Sequence, residues 1–234
     1  MGSEMCIRDR AKQYRQHRFI VPDGMCDMLL IRHGESAPYV EGVPHPQKDG
    51  QSDPPLHKMG HKQAEAVGER LKDTHFDALY VTPLTRTHQT ASPLAKALGM
   101  TPSVEKGLRE IYLGEWDSGL FRIKMEERDP LYLKAIEEQE WGLVPGAEST
   151  AELQDRVKAG LLRIAAKHPN QHVAVFVHGG VIGAAMAVAT GSRSFAFVGA
   201  ENGSISRLAV GAERMNVRTF NDTSHLQDLV DEDD

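Results

Sequence analysis

His172-Val-Ala-Val-Phe-Val177, running straight into His178-Gly179-Gly180, is the stretch on which the fold turns. Its first six residues are nearly continuous in β-branched and aromatic side chains, as a central strand covered on both faces requires. A second run, Asp27-Met-Leu-Leu-Ile-Arg32, ends the same way, in His33-Gly34. A short apolar run that stops at charged and Gly-containing residues is the pattern of a buried strand feeding a functional loop. Two strand-end histidines, each followed by Gly, are poorly explained as packing, because Gly past a strand lets backbone N–H groups approach a ligand.

Working outward, Pro38, Pro44, Pro46, Pro54 and Pro55 are expected to forbid regular structure over residues 38–55, a length that suits a lid better than a simple connection. From His57 to Lys72, Ala64, Val67 and Leu71 recur at helical spacing. Phe76 to Val81 reads as a strand, and Pro83 to Leu98 as a helix with Pro in its first turn and Gly99 at its end. This alternation predicts an α/β fold, a mostly parallel sheet with helices on both faces. Arg122 to Trp141 is charged and helical in composition, ended by Pro145-Gly146. Ser149-Thr-Ala-Glu152 has capping-box spacing, and Leu153, Val157, Leu161 and Ile164 then mark the core-facing stripe of a long helix. Ser204 to Val210 and Met215 to Phe220 read as a closing strand pair.

The 234 residues carry 27 Lys plus Arg against 33 Asp plus Glu, a formal charge of -6, with 40% hydrophobic content. That is ample for a core, and without repeats or low-complexity linkers it reads as one domain over residues 26–224. Residues 1–25 read as an N-terminal extension whose opening, MGSEMCIRDR, resembles a read-through or cloning scar, and residues 225–234 as an acidic tail expected to be disordered from Asp228 to Asp234. The body has no run of Lys and Arg, so neither nucleic acid nor a membrane surface is an expected partner. The longest apolar stretch, Val181 to Thr190, is about half what a membrane-spanning helix requires and reads as a buried helix. Cys6 and Cys26 are too few to staple a secreted scaffold, which points to a reducing, cytoplasmic location. A homodimer is left open.

In doubly wound sheets ligands gather beyond the carboxyl ends of the strands, which makes Arg32-His33 and His178 neighbours in space. Arg86, early in the helix after the 76–81 strand, adds a second guanidinium. Two forks that cannot lose their charge match phosphate oxygens, so a phosphoryl group is the expected guest. His57 and His61 stand at helical spacing, but with Gly60 between them and no accompanying carboxylate they read as surface residues rather than a zinc site. Ser36 reads equally as a phosphate ligand or a turn former, Asn202-Gly203 as a turn or a side-chain amide facing the site, and Trp116 and Trp141 as packing residues.

Taken together, five motifs resemble the histidine phosphatase superfamily: Arg32-His33-Gly34-Glu35-Ser36; Leu56, Gly60 and Gln63-Ala64; Thr82-Pro83-Leu84-Thr85-Arg86-Thr87 with Thr90-Ala91; Leu108-Arg-Glu110 with Gly114-Glu-Trp116; and Val177-His178-Gly179-Gly180. They run in order over about residues 27–224. The resemblance implies a three-layer α/β/α, phosphoglycerate mutase-like fold. It also implies His33 as a nucleophile phosphorylated on a ring nitrogen, a cradle of Arg32, Arg86 and His178, and Glu110 as proton donor with Glu115 in reserve. Gly34, Glu35, Ser36 and Gly179 are then substrate-binding residues, the partner is a small phosphorylated metabolite, and no metal or cofactor is called for. Phosphoryl transfer suits such a set, since it asks for in-line positioning and stabilised charge on the equatorial oxygens. A neutral imidazole is nucleophilic when its other nitrogen keeps the proton through a hydrogen bond. Glu110 must be protonated when the alcohol leaves and ionised when water attacks.

Departures from the mutase branch favour hydrolysis. Where mutases continue the first motif with Trp-Asn this chain has Pro38 and Tyr39, and where they grip a carboxylate after the acidic residue it has Ile111 and Leu113. The stretch from Glu110 to His178 also looks shorter and lacks an Arg-Arg pair. Retaining and reorienting a bisphosphate needs groups that bind both ends. Arg122, Lys124 and Arg128 are candidates for a second anionic group, with a solvated helix face as the alternative. A cofactor-dependent phosphoglycerate mutase and a non-catalytic phospho-ligand or protein-binding module are the competing readings.

Overall fold

A computed structural model describes residues 14–230; residues 1–13 of the N-terminal extension and residues 231–234 of the acidic tail lie outside the described residues. The central sheet has the order β5-β4-β6-β1-β7-β8. These strands are β1 (Cys26–Arg32), β4 (Ala78–Val81), β5 (Ser103–Val104), β6 (His172–Val177), β7 (Ile205–Val210) and β8 (Met215–Asp222). The two stretches that open the sequence argument form its middle: β1 and β6 are parallel neighbours, with Met28 opposite Val173 and Arg32 opposite Val177. β4 and β5 continue the parallel set on one side, while β7 and β8 close the other as an antiparallel pair. Because β6 inserts between β1 and β4, the loops leaving all three strands converge at one edge.

Alternation along β1 and β6 explains the layers. Met28, Leu30, Val173, Val175 and Val177 face one core, filled by Leu153, Val157, Leu161 and Ile164 of α5 (Thr150–Lys167) and Ile182 and Met186 of α6 (Gly179–Thr190). Leu29, Ile31, Ala174 and Phe176 face the other, against Val67 and Leu71 of α1 (Lys58–Leu71) and Ala91 and Leu94 of α2 (Thr85–Leu98). The expected three-layer α/β/α architecture with a mostly parallel sheet is the one observed. Phe176 is fully buried, worth about 2–3 kcal/mol in burial alone, so truncating it to Ala would cost about 3–5 kcal/mol.

Local expectations fared differently. The Ser149–Glu152 capping box forms with both reciprocal bonds, and Gly99 ends α2 at φ 64°. Pro83, however, lies outside the first turn of α2: Leu84 is the N-cap, and Asp53 accepts from the Thr85 N–H at 2.6 Å, so a distant loop does the capping. The stretch from Arg122 to Trp141 is two helices, α3 (Leu120–Glu126) and α4 (Pro130–Glu138). Arg128 at φ 54° breaks the chain there, and Asp129-Pro130 restarts it with the Asp side chain accepting from Leu131 and Pro at the first helical position. α4 ends at Gln139 at φ 58°, ahead of Pro145-Gly146. Nor is the 38–55 loop wholly irregular. β2 (Gln47–Lys48) and β3 (Gln51–Ser52) form a hairpin around Asp49-Gly50, both at positive φ (53° and 78°) as a two-residue hairpin turn demands.

Candidate active site

The loop after β1 carries His33, buried at 5% exposure. Its Nδ1 lies 2.7 Å from the carbonyl oxygen of Gly34, which can only accept, so Nδ1 holds the proton and Nε2 keeps its lone pair. Arg86 Nε donates to that Nε2 at 3.1 Å. Burial first, then the Arg86 and Arg32 charges, hold the imidazole well below its ordinary value, hence neutral at pH 7. Gly34 has no room for a side chain: a Cβ would stand 2.3 Å from the Gly60 carbonyl oxygen. Its N–H donates to Thr90 Oγ1 at 3.0 Å, and Asn202 Nδ2 and Gly203 N donate to the His33 carbonyl at 2.9 and 3.3 Å. Asn202-Gly203 therefore fixes the His33 backbone from behind.

Arg86 sits in the first turn of α2, its Nη1 donating to Ser52 O at 3.0 Å. Arg32 donates to Ala200 O, and its Nε is buried without a partner. Burial draws both guanidiniums below their ordinary value, opposed by the Glu110 charge. His178, past β6, is completely buried, its ring centroid 5.1 Å from that of His33. Its Nε2 lies 2.9 Å from Thr82 Oγ1, which is in turn 3.2 Å from Thr87 Oγ1. Its Nδ1 is buried with no partner. Burial, with Arg86 next, holds this imidazole also well below its ordinary value.

Glu110 lies beyond the short turn Lys106–Leu108, and its backbone is clamped. Arg156 Nη2 donates to Glu110 O at 3.0 Å while its Nη1 reaches Gly107 O and Arg109 O, and Gln51 Nε2 reaches Glu110 O at 2.7 Å and Ile111 O at 2.8 Å. The carboxylate packs on the start of α6, where a Cβ at Gly180 would come within 2.6 Å of its Oε1.

A cavity of about 410 Å³ opens over these groups, lined by Arg32, His33, Ser36, Arg86, Glu110 and Gly179 among others. Glu115 is exposed and lines a separate depression with Tyr39 and Tyr112. Gly34 and Glu35 do not line the main cavity. Gly34 supports His33 through its backbone, and the Glu35 carboxylate turns to His57, 3.9 Å away. His178 is not among the lining residues and makes an edge contact with the His33 ring.

A family model described as the histidine phosphatase superfamily, branch 1, matches residues 28–223. The chain belongs to the histidine phosphatase superfamily. Phosphoserine phosphatase 1 of Hydrogenobacter thermophilus is 32% identical over 205 residues, covering 86% of this chain and 95% of that protein. A probable phosphoglycerate mutase of Salmonella choleraesuis is 30% identical over 209 residues, with 86% and 95% covered. Among solved structures, mycobacterial glucosyl-3-phosphoglycerate phosphatase superposes with a TM-score of 0.71 at 25% identity, over 84% of this chain and 99% of that one. The resemblance drawn from the motifs and the phosphoglycerate mutase-like fold both hold.

This histidine phosphatase superfamily site also depends on groups that motifs do not mark. Arg156 and Gln51, which hold the Glu110 segment, carry no local signal, because their partners are backbone carbonyls distant in sequence. Arg122 was one of three candidate cations, and it alone of the three lines the cavity, donating to Ser36 Oγ at 2.8 Å and Ala37 O at 2.9 Å. Lys124 is paired with Asp129 at 2.8 Å. No group of three or more His, Cys, Asp or Glu among the described residues is arranged to hold a metal ion, and His57 and His61 form no such cluster. No helix among the described residues is long and apolar enough to cross a membrane.

Proposed function

We propose that this histidine phosphatase superfamily member hydrolyses small phosphomonoesters through a phosphohistidine on His33. The observation that carries the reading is the fixed His33 tautomer, with Nδ1 tied to Gly34 O and the Nε2 lone pair directed at the Arg86 guanidinium. In the first step Nε2 attacks phosphorus, the ester P–O bond breaks, and Glu110 gives its proton to the departing alkoxide. In the second, water attacks phosphorus and the P–N bond breaks. The ionised Glu110 takes a proton from that water, which returns His33 to its neutral form. Arg32, Arg86 and, with its proton on Nδ1, His178 supply donors for the equatorial oxygens, and the unpartnered Arg32 Nε and His178 Nδ1 support that role. Ser36 and Gly179 line the same cavity and complete the substrate contacts. Glu110 rather than Glu115 is the proton donor, supported by its place in the cavity with His33. The site of action is the cytoplasm, in keeping with buried Cys26 forming no disulfide among the described residues.

The test is release of inorganic phosphate from a panel of phosphomonoesters at several pH values with EDTA present, beside His33→Ala, and with 3-phosphoglycerate supplied with and without 2,3-bisphosphoglycerate. Release that persists in EDTA and vanishes in the variant is expected. Interconversion of phosphoglycerates without release would replace hydrolysis with a mutase reaction, and no turnover of either kind would leave a phospho-ligand binding module.

A further inference from the structure

The cavity is chemically divided. All three cations in its lining are used at the phosphoryl end: Arg86 on His33 and Ser52, Arg122 on Ser36 and Ala37, and Arg32 on Ala200 beside Gly179. The polar residues Glu110, Asp117, His45, Gln51 and Ser52 also line the cavity, and much of the rest of the wall is a connected set of rings. Phe121 lies 6.5 Å from Trp116, 6.0 Å from Tyr132 and 5.9 Å from Trp141, and Trp141 lies 4.8 Å from Phe195. All five line the cavity, and they come from four separate stretches: the turn at Gly114–Trp116, α3–α4, the turn at Trp141–Leu143, and the segment after α6. The outer rim is apolar too, with Met125 46%, Ile136 36% and Val198 52% exposed. The polar groups of this half, Thr150, Gln154 and Ser194, are uncharged, and the Thr150 hydroxyl is committed to Trp141 N and Gln139 O.

From this division we infer that the phosphatase acts on phosphomonoesters of uncharged, apolar alcohols, aromatic ones above all, whose hydrocarbon part lies among Phe121, Trp141 and Phe195. The inference rests on the phosphatase reading and narrows its substrate class. Phosphoserine and 3-phosphoglycerate each place a carboxylate two carbons beyond the ester oxygen, and that charge would be desolvated among rings that carry no cation of their own. An apolar group there instead gains affinity roughly in proportion to the surface it buries, up to about fourfold per methylene. An aromatic group gains further from edge-to-face contact with the rings.

The experiment uses alkyl phosphates of nearly equal leaving ability, namely ethyl, butyl, hexyl and 3-phenylpropyl phosphate, beside phosphoserine and 3-phosphoglycerate. We expect kcat/KM to rise at least about tenfold from ethyl to hexyl and again to 3-phenylpropyl, with both carboxylates at or below the ethyl ester. Phe121→Ser, and independently Ile136→Glu at the exposed rim where folding is not at stake, should cut the phenylpropyl-to-ethyl ratio by about tenfold. A flat series, a preference for either carboxylate, or an unchanged ratio in both variants overturns the inference while the phosphatase reading stands. Absence of release from every ester overturns the phosphatase reading itself. In that case calorimetric binding of 3-phenylpropylphosphonate against methylphosphonate still decides the apolar half: tenfold tighter binding supports it, and equal binding overturns it.

Discussion

Arg156→Met isolates the clamp on the proposed proton donor. The Arg156 side chain donates to the carbonyls of Gly107 (3.0 Å), Arg109 (2.6 Å) and Glu110 (3.0 Å) and pairs through both arms with Glu148. The two partners are 25% and 15% exposed, so water refills part of what is lost. Three charge-assisted bonds to carbonyls at about 0.5–1 kcal/mol each after that refilling, plus about 1 kcal/mol for the ion pair, give a loss of about 2.5–4 kcal/mol. For a domain of this size that is a fall in melting temperature of roughly 5–15 °C. Gln51 still holds the Glu110 carbonyl, so the segment should loosen rather than detach. Loosening a proton donor costs most where the departing alcohol most needs its proton. Well below the variant's melting point, the rate on an alkyl phosphate should fall about tenfold to a hundredfold, and on an aryl phosphate much less. Thermal denaturation and the alkyl-to-aryl rate ratio read the two effects separately, and Arg156→Lys should recover stability more than the ratio. An Arg156→Met protein that melts within a degree of the parent and keeps its alkyl-to-aryl ratio would refute the clamp.

Three further outcomes are expected. Glu110→Gln should lower kcat on alkyl phosphates by about 10²–10⁴ and on aryl phosphates far less, as a leaving-group series would display. His33 and His178 are held well below the ordinary histidine value, chiefly by burial and Arg86. The unfolded chain therefore takes up protons below about pH 6.5 that the folded protein does not, and stability falls as pH drops through that window. The slope approaches about 1.4 kcal/mol per pH unit for each histidine, and His33→Asn should remove one share of it in urea titrations between pH 5 and 7. Gly34→Ala would force a Cβ against the Gly60 carbonyl at 2.3 Å and displace the very carbonyl that fixes the His33 tautomer. Its kcat/KM should fall more than about tenfold, beyond what its loss of stability, followed by thermal melting, explains.

Legibility in the sequence followed how local each signal was. The strands at 26–32 and 172–177 and the capping box at Ser149 are written in contiguous patterns, and the structure follows them. The break of the 122–141 stretch was also written locally, in Asp129-Pro130, but overall helical composition masked it. In the same way five prolines masked the Asp49-Gly50 hairpin signal. His33 and His178 could be singled out because each follows an apolar strand and precedes Gly, and Arg86 because it opens the helix after the next strand, whereas Glu110 was legible only through the resemblance of its motif. Gln51 and Arg156 could not, since a side chain that binds a distant carbonyl leaves no local pattern. The rings at Trp116 and Trp141 read as packing residues and are buried, yet only the path of α3 and α4 brings them with Phe121 onto one wall.

The central claim is the covalent step on His33. Rapid mixing with a slowly hydrolysed phosphomonoester labelled in the phosphoryl group, quenched in alkali where phosphohistidine survives, followed by peptide mapping, tests it directly. The account predicts an acid-labile label on the peptide carrying His33, formed no later than the first turnover and absent from His33→Asn. Phosphate release at full rate from His33→Asn, or label found on another side chain, would contradict it.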